Sequence, residues 1–528
     1  MVSSMKDYSP TSPFASQSSW KLDEAGHSNY SLHQYNGNYD DVLDLIRAER
    51  ASRNFIDFNG PQDRSNPFNW PISKKWRVTL LVCFMTLAVQ INGTEMTSAA
   101  EHINESFRVS DEKFPHSYWP VLSWNLGGAA APMLALPLME RFGVRWSYFS
   151  IYVFLIIFLI PQALAQNFAT LIVTRIITGA CSGVLANVTS SVVSDIWREG
   201  RSKSFATSLW IWSLLAGLST GPVLGSVTLK YVSWRWIFLS EIILYSALLP
   251  ILFLALPEVR SDVILTQNAK RIRAKTGKPV YARTEKSHTS FSAILADTLV
   301  RPARMLITEP VVLFFGFWSA FCIGTAFMFT QSIVQVYGGL YEWGYFPTGI
   351  VQIAVVVGEA VGLLASIYQD ELYFRSGDKN HEIPGKPIPE ARLYLSIPGS
   401  FVGLTGGLFF YAWTSEPTLP WYLPTIGLGF VGFGMFTVVT AVTGYILDCY
   451  AKYTGSAIAG VAFLENIFAA FLPLATQSLY RDLGFSWASS LLGFLALALS
   501  FIPLVLQAKG KTIRAKSKFI ALAGYEET

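Results

Sequence analysis

The sequence predicts an all-α polytopic membrane protein. Of its 528 residues, 51% are hydrophobic and only 14% are charged, which is too little charge to cover a water-soluble body of this length. Apolar stretches of about 20 residues recur, as at 146–165 and 237–256, and a helix of that length crosses about 30 Å of hydrocarbon. Membrane-spanning helices are therefore the expected architecture.

Twelve such spans can be placed along the chain. They lie at 77–99, 117–138, 146–165, 168–193, 203–228, 235–256, 309–333, 345–368, 393–413, 421–447, 455–477 and 485–507. An even number of crossings puts both termini on one side. Lys74 and Lys75 precede the first span, and Arg198 and Arg201 follow the fourth, so the positive-inside rule predicts that this side is the cytoplasm.

A long polar segment divides the spans into two groups of six. We expect it to be a cytoplasmic central loop containing a basic amphipathic helix, which either lies along the anionic inner leaflet or is solvated. The predicted organisation is a disordered cytoplasmic tail (1–76), an N-terminal six-helix half (77–256), the central loop (257–308), a C-terminal six-helix half (309–507) and a cytoplasmic tail (508–528).

Several functional classes are excluded by composition. The formal net charge is only +4 and the basic residues occupy short loops, which argues against a nucleic-acid partner. The cysteines at 83, 181, 322 and 449 are scattered singly, so neither a disulfide framework nor a metal site is indicated. No catalytic set appears inside the spans, and we expect a monomer that is not an enzyme and needs no cofactor.

Four ionisable residues inside the predicted spans stand out: Glu95, Arg175, Glu359 and Glu465. A charge at the bilayer centre costs roughly 2.5–3.5 kcal/mol, so each is a functional candidate. Glu95 and Arg175 lie at similar depth and can pair, although Glu95 can equally be an interfacial carboxylate. For Glu465 the alternative is a structural pairing with Asn466 or with a helix terminus. All six histidines lie outside the spans, so a proton carrier within the membrane would be a carboxylate.

Local motifs resemble those of the major facilitator superfamily, specifically the fungal twelve-span drug:proton antiporters, including polyamine exporters. The motifs are PLMERFGVRW from Pro137, LIVTRIITGACSG from Leu171 and AGLSTGPVLGS from Ala216, with SWRWIF, LPEVRSDVIL, RPARMLITEP, PEARL and YILDCY as supporting elements. The resemblance covers about residues 66–515 and implies the major facilitator fold.

The resemblance implies roles for particular residues. An inner gate would contain Glu140, Arg141, Gly143 and Arg145, and a proton-coupling set would contain Arg175 with Glu95, Glu359 or Glu465. The antiporter motif would be Gly217, Gly221, Pro222 and Gly225. In this family the sixth span packs away from the central cavity, so Glu241 is set aside as a functional candidate.

A substrate cavity is expected between the two halves. The resemblance places the following residues on helices that line it, although most aromatic residues in membrane proteins serve packing: Trp124, Asn125, Phe317, Trp318, Gln331 and Tyr445. Stacking and cation–π contacts there would suit a flat or cationic substrate.

These observations predict a proton-coupled exporter of small amphipathic or cationic molecules such as drugs, polyamines or secondary metabolites. Its partners would be the substrate, protons and the lipid bilayer, and the proton gradient would supply the energy. A symporter that imports a nutrient and a non-transporting receptor on the same fold are the alternatives. We expect a plasma-membrane protein, with the vacuolar membrane as the other option, glycosylated at Asn104 within the sequon that Ser106 completes.

Overall fold

The computed structural model describes residues 55–58, 60, 62–111, 116–277, 279–282, 285, 291–380, 383–450 and 453–522. For Pro137, Glu140, Arg141, 291–298 and 521–522 only the backbone is described. The regular structure of these ranges is helical, and their only β contact is an isolated bridge between Phe55 and Tyr281.

Helices form nearly all of the bundle. They are α1 (Ile72–Thr94), α2 (Ala100–Phe107), α3 (Trp119–Phe142), α4 (Val144–Ala163), α5 (Phe168–Ile196), α6 (Arg201–Tyr231), α7 (Arg235–Ala255), α8 (Ser261–Thr276), α9 (Phe291–Thr308), α10 (Pro310–Ile333), α11 (Tyr345–Ile350), α12 (Ile353–Arg375), α13 (Gly407–Thr414), α14 (Tyr422–Tyr450), α15 (Thr454–Phe471), α16 (Thr476–Lys516) and α17 (Lys518–Leu522). A 3-10 turn (Glu95–Ala99) joins α1 to α2, and a π-helical segment (Gly399–Gly406) leads into α13.

Ten helical segments among the described residues are long and apolar enough to cross a membrane. One of them, Thr454–Lys516, has 63 residues and contains α15 and α16, with a non-helical kink at Gly484, so it accommodates two crossings. The 24-residue helix α3 is a further apolar segment of spanning length. Counted in this way, the described helices supply the twelve predicted spans.

Large apolar side chains cover the outside of the bundle. Examples are Ile157 on α4, Leu254 on α7, Leu364 on α12 and Trp487 on α16, all of them exposed. A soluble protein does not expose apolar surface of this extent, whereas lipid tails solvate it.

Packing between helices defines how the two halves meet. Within the N-terminal half α3 packs on α5 and α1 packs on α6, and within the C-terminal half α10 packs on α15 and α12 packs on α14. The most extensive contacts between the halves are those of α6 with α12 and of α3 with α15, and α6 also packs on α11. Helix α6 therefore touches α1 on one side and α12 on the other.

The segment before α1 is ordered in part, so the expectation of a tail disordered throughout 1–76 is wrong for its last residues. The backbone N–H of Ile56 donates to the Tyr281 carbonyl at 3.0 Å, and Asn69 accepts a hydrogen bond from Arg198 at 2.9 Å. Trp70 is buried in the core of the N-terminal half. Residues 1–54 lie outside the described part of the chain.

The central-loop helix α8 packs against protein. Its apolar residues Val263 and Ile272 are partly buried, and a small cavity of about 280 Å³ between α8 and the segment before α1 is lined by Phe58 and Ile272. Arg273 forms an ion pair with Glu285 at 2.6 Å. Arg260 of the loop forms an ion pair with Asp195 of α5 at 3.1 Å, and this contact holds the loop on the N-terminal half.

Acidification should loosen this loop. The Arg273 guanidinium holds the pKa of the Glu285 carboxyl below its usual range. A depressed carboxyl pKa stabilises the contact above the ordinary value of about 4.3, and that stability is lost as the pH falls through the lower folded-state pKa. The protection factor of the Ile56 amide against hydrogen exchange should therefore fall below about pH 4, and an Arg273→Ala variant should show the low protection factor already at neutral pH. Equal protection of the Ile56 amide in the variant and in the parent would show that the Arg273–Glu285 ion pair does not stabilise the loop.

Candidate functional site

Arg175 is fully buried on α5 and binds main-chain oxygens of two neighbouring helices. Its guanidinium donates to the carbonyls of Asn92 at 2.7 Å, Gly93 at 2.8 Å and Pro120 at 3.1 Å. Asn92 and Gly93 lie in the last turn of α1, where carbonyls lack partners within the helix. Arg175 satisfies them, and no direct ion pair with Glu95 is present among the described residues.

A pair of carboxyl groups lies beside this arginine. Glu95 begins the 3-10 turn and Glu241 lies on α7; each is 4% exposed, and the two carboxyl groups lie close enough to interact. Asn92 donates through Nδ2 to Glu241 Oε2 at 2.7 Å. Glu241, which the resemblance set aside, therefore lies against α1.

Trp124 belongs to the same network. Its indole N–H donates to Asn92 Oδ1 at 2.9 Å, and the Arg175 guanidinium lies 5.9 Å from the centre of its ring. A Cβ placed on Gly93 would approach the ring to 2.8 Å, so glycine makes room for the indole. Asn125 is buried and donates to the Val121 carbonyl of its own helix. Both residues are thus buried within the N-terminal half.

The glycines of α6 let α1 and the 3-10 turn approach closely. A Cβ on Gly217 would lie 2.6 Å from the Leu87 carbonyl oxygen, and one on Gly221 would lie 2.8 Å from the Glu95 amide nitrogen. A Cβ on Gly225 would overlap the Glu95 carbonyl oxygen. Since these glycines recur every four residues, they form one face of α6, and that face fixes the backbone of Glu95.

Pro222 has a structural consequence on this face. Proline has no N–H, so the Leu218 carbonyl one turn earlier loses its helical partner. The Thr94 hydroxyl donates to that carbonyl at 2.8 Å, and the Ser98 hydroxyl donates to the Pro222 carbonyl at 2.7 Å. The motif therefore ties α6 to the residues on both sides of Glu95.

Removing the Thr94 hydroxyl should destabilise this contact. In a Thr94→Val variant the Leu218 carbonyl keeps no donor, and a buried unsatisfied carbonyl costs about 1–3 kcal/mol. We expect a lower thermal unfolding temperature in detergent. Thr414→Val is the control, because that exposed hydroxyl donates only to the Phe410 carbonyl of its own helix. Equal unfolding temperatures in the two variants would contradict the prediction.

Glu359 connects the two halves. It is fully buried on α12 and accepts a hydrogen bond at Oε1 from the Ser219 hydroxyl of α6 at 2.8 Å. Its other oxygen, Oε2, has no partner in the described part of the chain. Ser219 lies between the glycines that hold Glu95, so one helix contacts both carboxyl groups.

Glu465 lies within the C-terminal half. It accepts a hydrogen bond from Ser319 of α10, whereas Asn466 donates to the Ala462 carbonyl of its own helix at 2.8 Å. Direct pairing of Glu465 with Asn466 is therefore not found. A Cβ on Gly128 of α3 would lie 2.9 Å from Asn466 Oδ1, so the neighbouring residue packs on the other half.

The aromatic residues proposed for the cavity separate into two groups. Trp318 and Tyr445 are fully buried: the indole N–H of Trp318 donates to Ser400 at 3.3 Å, and the Tyr445 ring packs edge-on against Phe315. They form the packing core of the C-terminal half. Phe317 is 38% exposed and Gln331 is partly exposed, so these two keep accessible surface.

Comparison with known proteins identifies the family. Residues 78–473 match the family model of the Major Facilitator Superfamily. The chain belongs to the major facilitator superfamily. It is therefore a membrane transporter rather than an enzyme.

Similar relatives are fungal transporters. The chain is 29% identical to the MFS transporter cpaT of Aspergillus oryzae, covering 90% of this chain and 94% of that one. It is 28% identical to the multidrug transporter FLU1 of Candida albicans, covering 88% and 76%, and 27% identical to the efflux pump radE of Floropilus chiversii, covering 90% and 87%. The solved human organic anion transporter MFSD10 shares the fold, with a TM-score of 0.56 at 14% identity over 82% of this chain and all of that one.

The transporter has a second polar cluster at the side where α1 begins, which we call the terminal face. Ser204 at the start of α6 donates to Asp370 of α12 at 2.5 Å. Arg392 donates to Ser204 at 2.7 Å and forms an ion pair with Asp448 at 2.9 Å. Arg201 pairs with Glu371 at 2.7 Å. These contacts tie the N-terminal half to the C-terminal half, and the sequence motifs PEARL and YILDCY contained two of the participants.

The predicted inner-gate motif lies on the same face. Gly143 has a φ of 99°, and a Cβ there would lie 2.5 Å from a carboxylate oxygen of Glu258. Glu258 accepts hydrogen bonds from the N–H groups of Val144 and Arg145 and so caps the start of α4. Arg145 donates to the Phe253 carbonyl. The side chains of Glu140 and Arg141 lie outside the described part of the transporter.

The predicted glycosylation site lies at the opposite end of the bundle, on α2. Asn104 is partly buried, and its Nδ2 donates to Asp111 Oδ2 at 3.1 Å. A glycan on this nitrogen would displace that contact, so Asn104 stays a prediction that intact-mass measurement can test.

Proposed function

We propose that this transporter exports small amphipathic or cationic molecules in exchange for protons. One observation carries the proposal: Glu95 and Glu359, both buried, contact opposite faces of the same helix, α6, which packs on both halves of the transporter. A carboxyl group held away from water binds a proton more readily than one in water. Protonation at either position can therefore act on the helix that joins the halves.

Arg175 provides the fixed positive charge of this mechanism. It lies beside the Glu95–Glu241 pair and binds the end of α1, so it offsets the negative charge that remains when a proton leaves. Glu465 is the second candidate carrier in the C-terminal half. The contacts on the terminal face would open and close as the halves rock, and we assign that face to the cytoplasm.

Export of cationic or amphipathic compounds agrees with the names of similar proteins, a multidrug transporter and an efflux pump. Phe317 and Gln331, which keep accessible surface, would contact the substrate on the helix that begins the C-terminal half. The proposed location is the plasma membrane, and polyamines are one substrate class to test.

Substrate efflux from loaded proteoliposomes tests the proposal. Release should accelerate when the external medium is acidified, because protons then enter as substrate leaves. The matched control collapses the gradient with a protonophore, which should return the rate to its basal value. An efflux rate that ignores the pH gradient would refute proton antiport. Faster substrate uptake into the lumen from an acidified medium would instead identify a symporter.

A further inference from the structure

The most unusual contact in the membrane region is the one between Glu95 and Glu241. Glu241 Oε2 accepts the hydrogen bond from Asn92, but Oε1 has no donor among the described residues. Two ionised carboxylates in contact repel each other, and neither can donate a hydrogen bond. A single proton held between them removes the repulsion and supplies the missing donor.

We infer that Glu95 and Glu241 hold one proton between them and together form the proton site of the N-terminal half, with Asn92 as the residue that positions Glu241. This inference rests on the proposed proton-coupled function and adds to it the carboxyl group of α7. The groups that face the pair are Arg175 on α5 and Tyr245 on α7, whose hydroxyl donates to the Ala88 carbonyl at 2.8 Å.

Asn92 fixes the geometry through both ends of its amide. Nδ2 donates to Glu241, while Oδ1 accepts from Trp124 at 2.9 Å and lies 3.4 Å from Arg175 Nη1. The orientation of the amide is therefore set, because exchanging its two ends would place an N–H₂ group against two donors. Asn92 holds the Glu241 carboxyl toward the 3-10 turn in which Glu95 lies.

The shared proton sets the net charge of the Glu95–Glu241 pair. With one shared proton the pair carries a charge of about −1, which the Arg175 cation balances, and without it the pair carries about −2. Loss of the proton makes the two carboxylates repel at short range. Glu241 lies on the 21-residue helix α7, whereas Glu95 lies in a short 3-10 turn packed on Gly221 and Gly225, so a displacement of the turn would be passed to α6.

Transport assays can separate this inference from the proposed function. The variants are Glu95→Gln, Glu241→Gln and the double variant, which keep side-chain size and hydrogen-bonding ability. Each single variant should lose at least tenfold of the acid-stimulated efflux. Because the two groups act as one site, the double variant should lose no more than the worse single variant. Losses that multiply in the double variant would show two independent sites and overturn the inference.

A second result would also overturn the inference: acid-stimulated efflux that stays at the wild-type rate in Glu241→Gln but is lost in Glu95→Gln. The proposed function would not be affected by that result. Absence of acid stimulation in the wild type would overturn the proposed function, and an infrared measurement then decides the inference independently. The wild type should show a carboxylic-acid C=O band at neutral pH that is lost equally in both single variants and in the double variant.

Glu309→Gln is the matched infrared control, because that buried glutamate lies on the terminal face and bonds to Ser517 at 2.5 Å. It should leave the shared-proton band unchanged. An unchanged band in Glu241→Gln, or a double variant that loses twice the intensity of each single variant, would contradict a shared proton. Monodisperse elution in size-exclusion chromatography confirms that each variant is folded.

Discussion

Replacing Arg175 by alanine should abolish proton-driven efflux and lower the thermal stability of the transporter. The variant leaves the carbonyls of Asn92, Gly93 and Pro120 without their donor. Each buried unsatisfied carbonyl costs about 1–3 kcal/mol, so a total of about 3 kcal/mol or more is expected. The carboxyl pair also loses its neighbouring cation.

Arg175→Lys separates these two effects. Lysine keeps the charge, but its compact ammonium group cannot reproduce the planar fork of the guanidinium. We expect intermediate thermal stability and at least a tenfold loss of acid-stimulated efflux. Arg235→Lys is the control, because Arg235 donates to a single described main-chain oxygen, that of Ala165, at 3.0 Å. Full acid-stimulated efflux in both Arg175 variants would remove this arginine from the mechanism.

A methyl group at Gly225 should have the second large effect. In Gly225→Ala the new Cβ overlaps the Glu95 carbonyl oxygen, and both are backbone-fixed positions. Overpacking of this kind costs about 1–3 kcal/mol, and relief requires the 3-10 turn to move away from α6. Because that turn carries Glu95, we expect at least a tenfold lower acid-stimulated efflux, with substrate exchange less affected.

Gly339→Ala is the matched control for this change. A Cβ at Gly339 meets no atom within 4 Å, so the same substitution there adds no clash. Efflux and thermal stability should stay close to those of the parent protein. If Gly225→Ala were as active as Gly339→Ala, the close approach between α6 and the turn would have no role in coupling.

Much of the architecture could be predicted from the sequence, because apolar length and the placement of basic loops are local properties. The all-α membrane fold followed from such patterns and the superfamily membership from the local motifs, and both are confirmed. The resemblance also singled out the glycines on α6 as a motif. The motif does not reveal which segment packs against these glycines, because nothing local to Gly221 or Gly225 indicates that the Glu95 backbone lies against them.

The components of the charge network were harder to predict. Glu241 was set aside because its helix was expected to pack away from the centre, yet a hydrogen bond from Asn92, 149 positions earlier, brings it into the cluster. The asparagine itself carried no signal beyond being a polar residue in an apolar span. The burial of Trp318 was likewise not predicted, because the resemblance does not distinguish a cavity face from a face that packs on Ser400.

The cluster on the terminal face illustrates a further limit. Arg392 and Asp448 stand in recognisable motifs, but the contact that joins the halves also needs Ser204, which lies 188 positions from Arg392. Contacts between elements so far apart depend on how the halves dock, and a single sequence does not encode that in any local pattern.

Simultaneous recording of the two fluxes tests the central claim most directly. Liposomes that contain the transporter, a luminal pH indicator and a fluorescent cationic substrate report proton and substrate movement in one sample. If the transporter exchanges protons for substrate, luminal acidification should accompany substrate loss, and both should disappear together in the Glu95→Gln/Glu241→Gln variant. Substrate loss with an unchanged luminal pH, or protons and substrate moving in the same direction, would contradict the account.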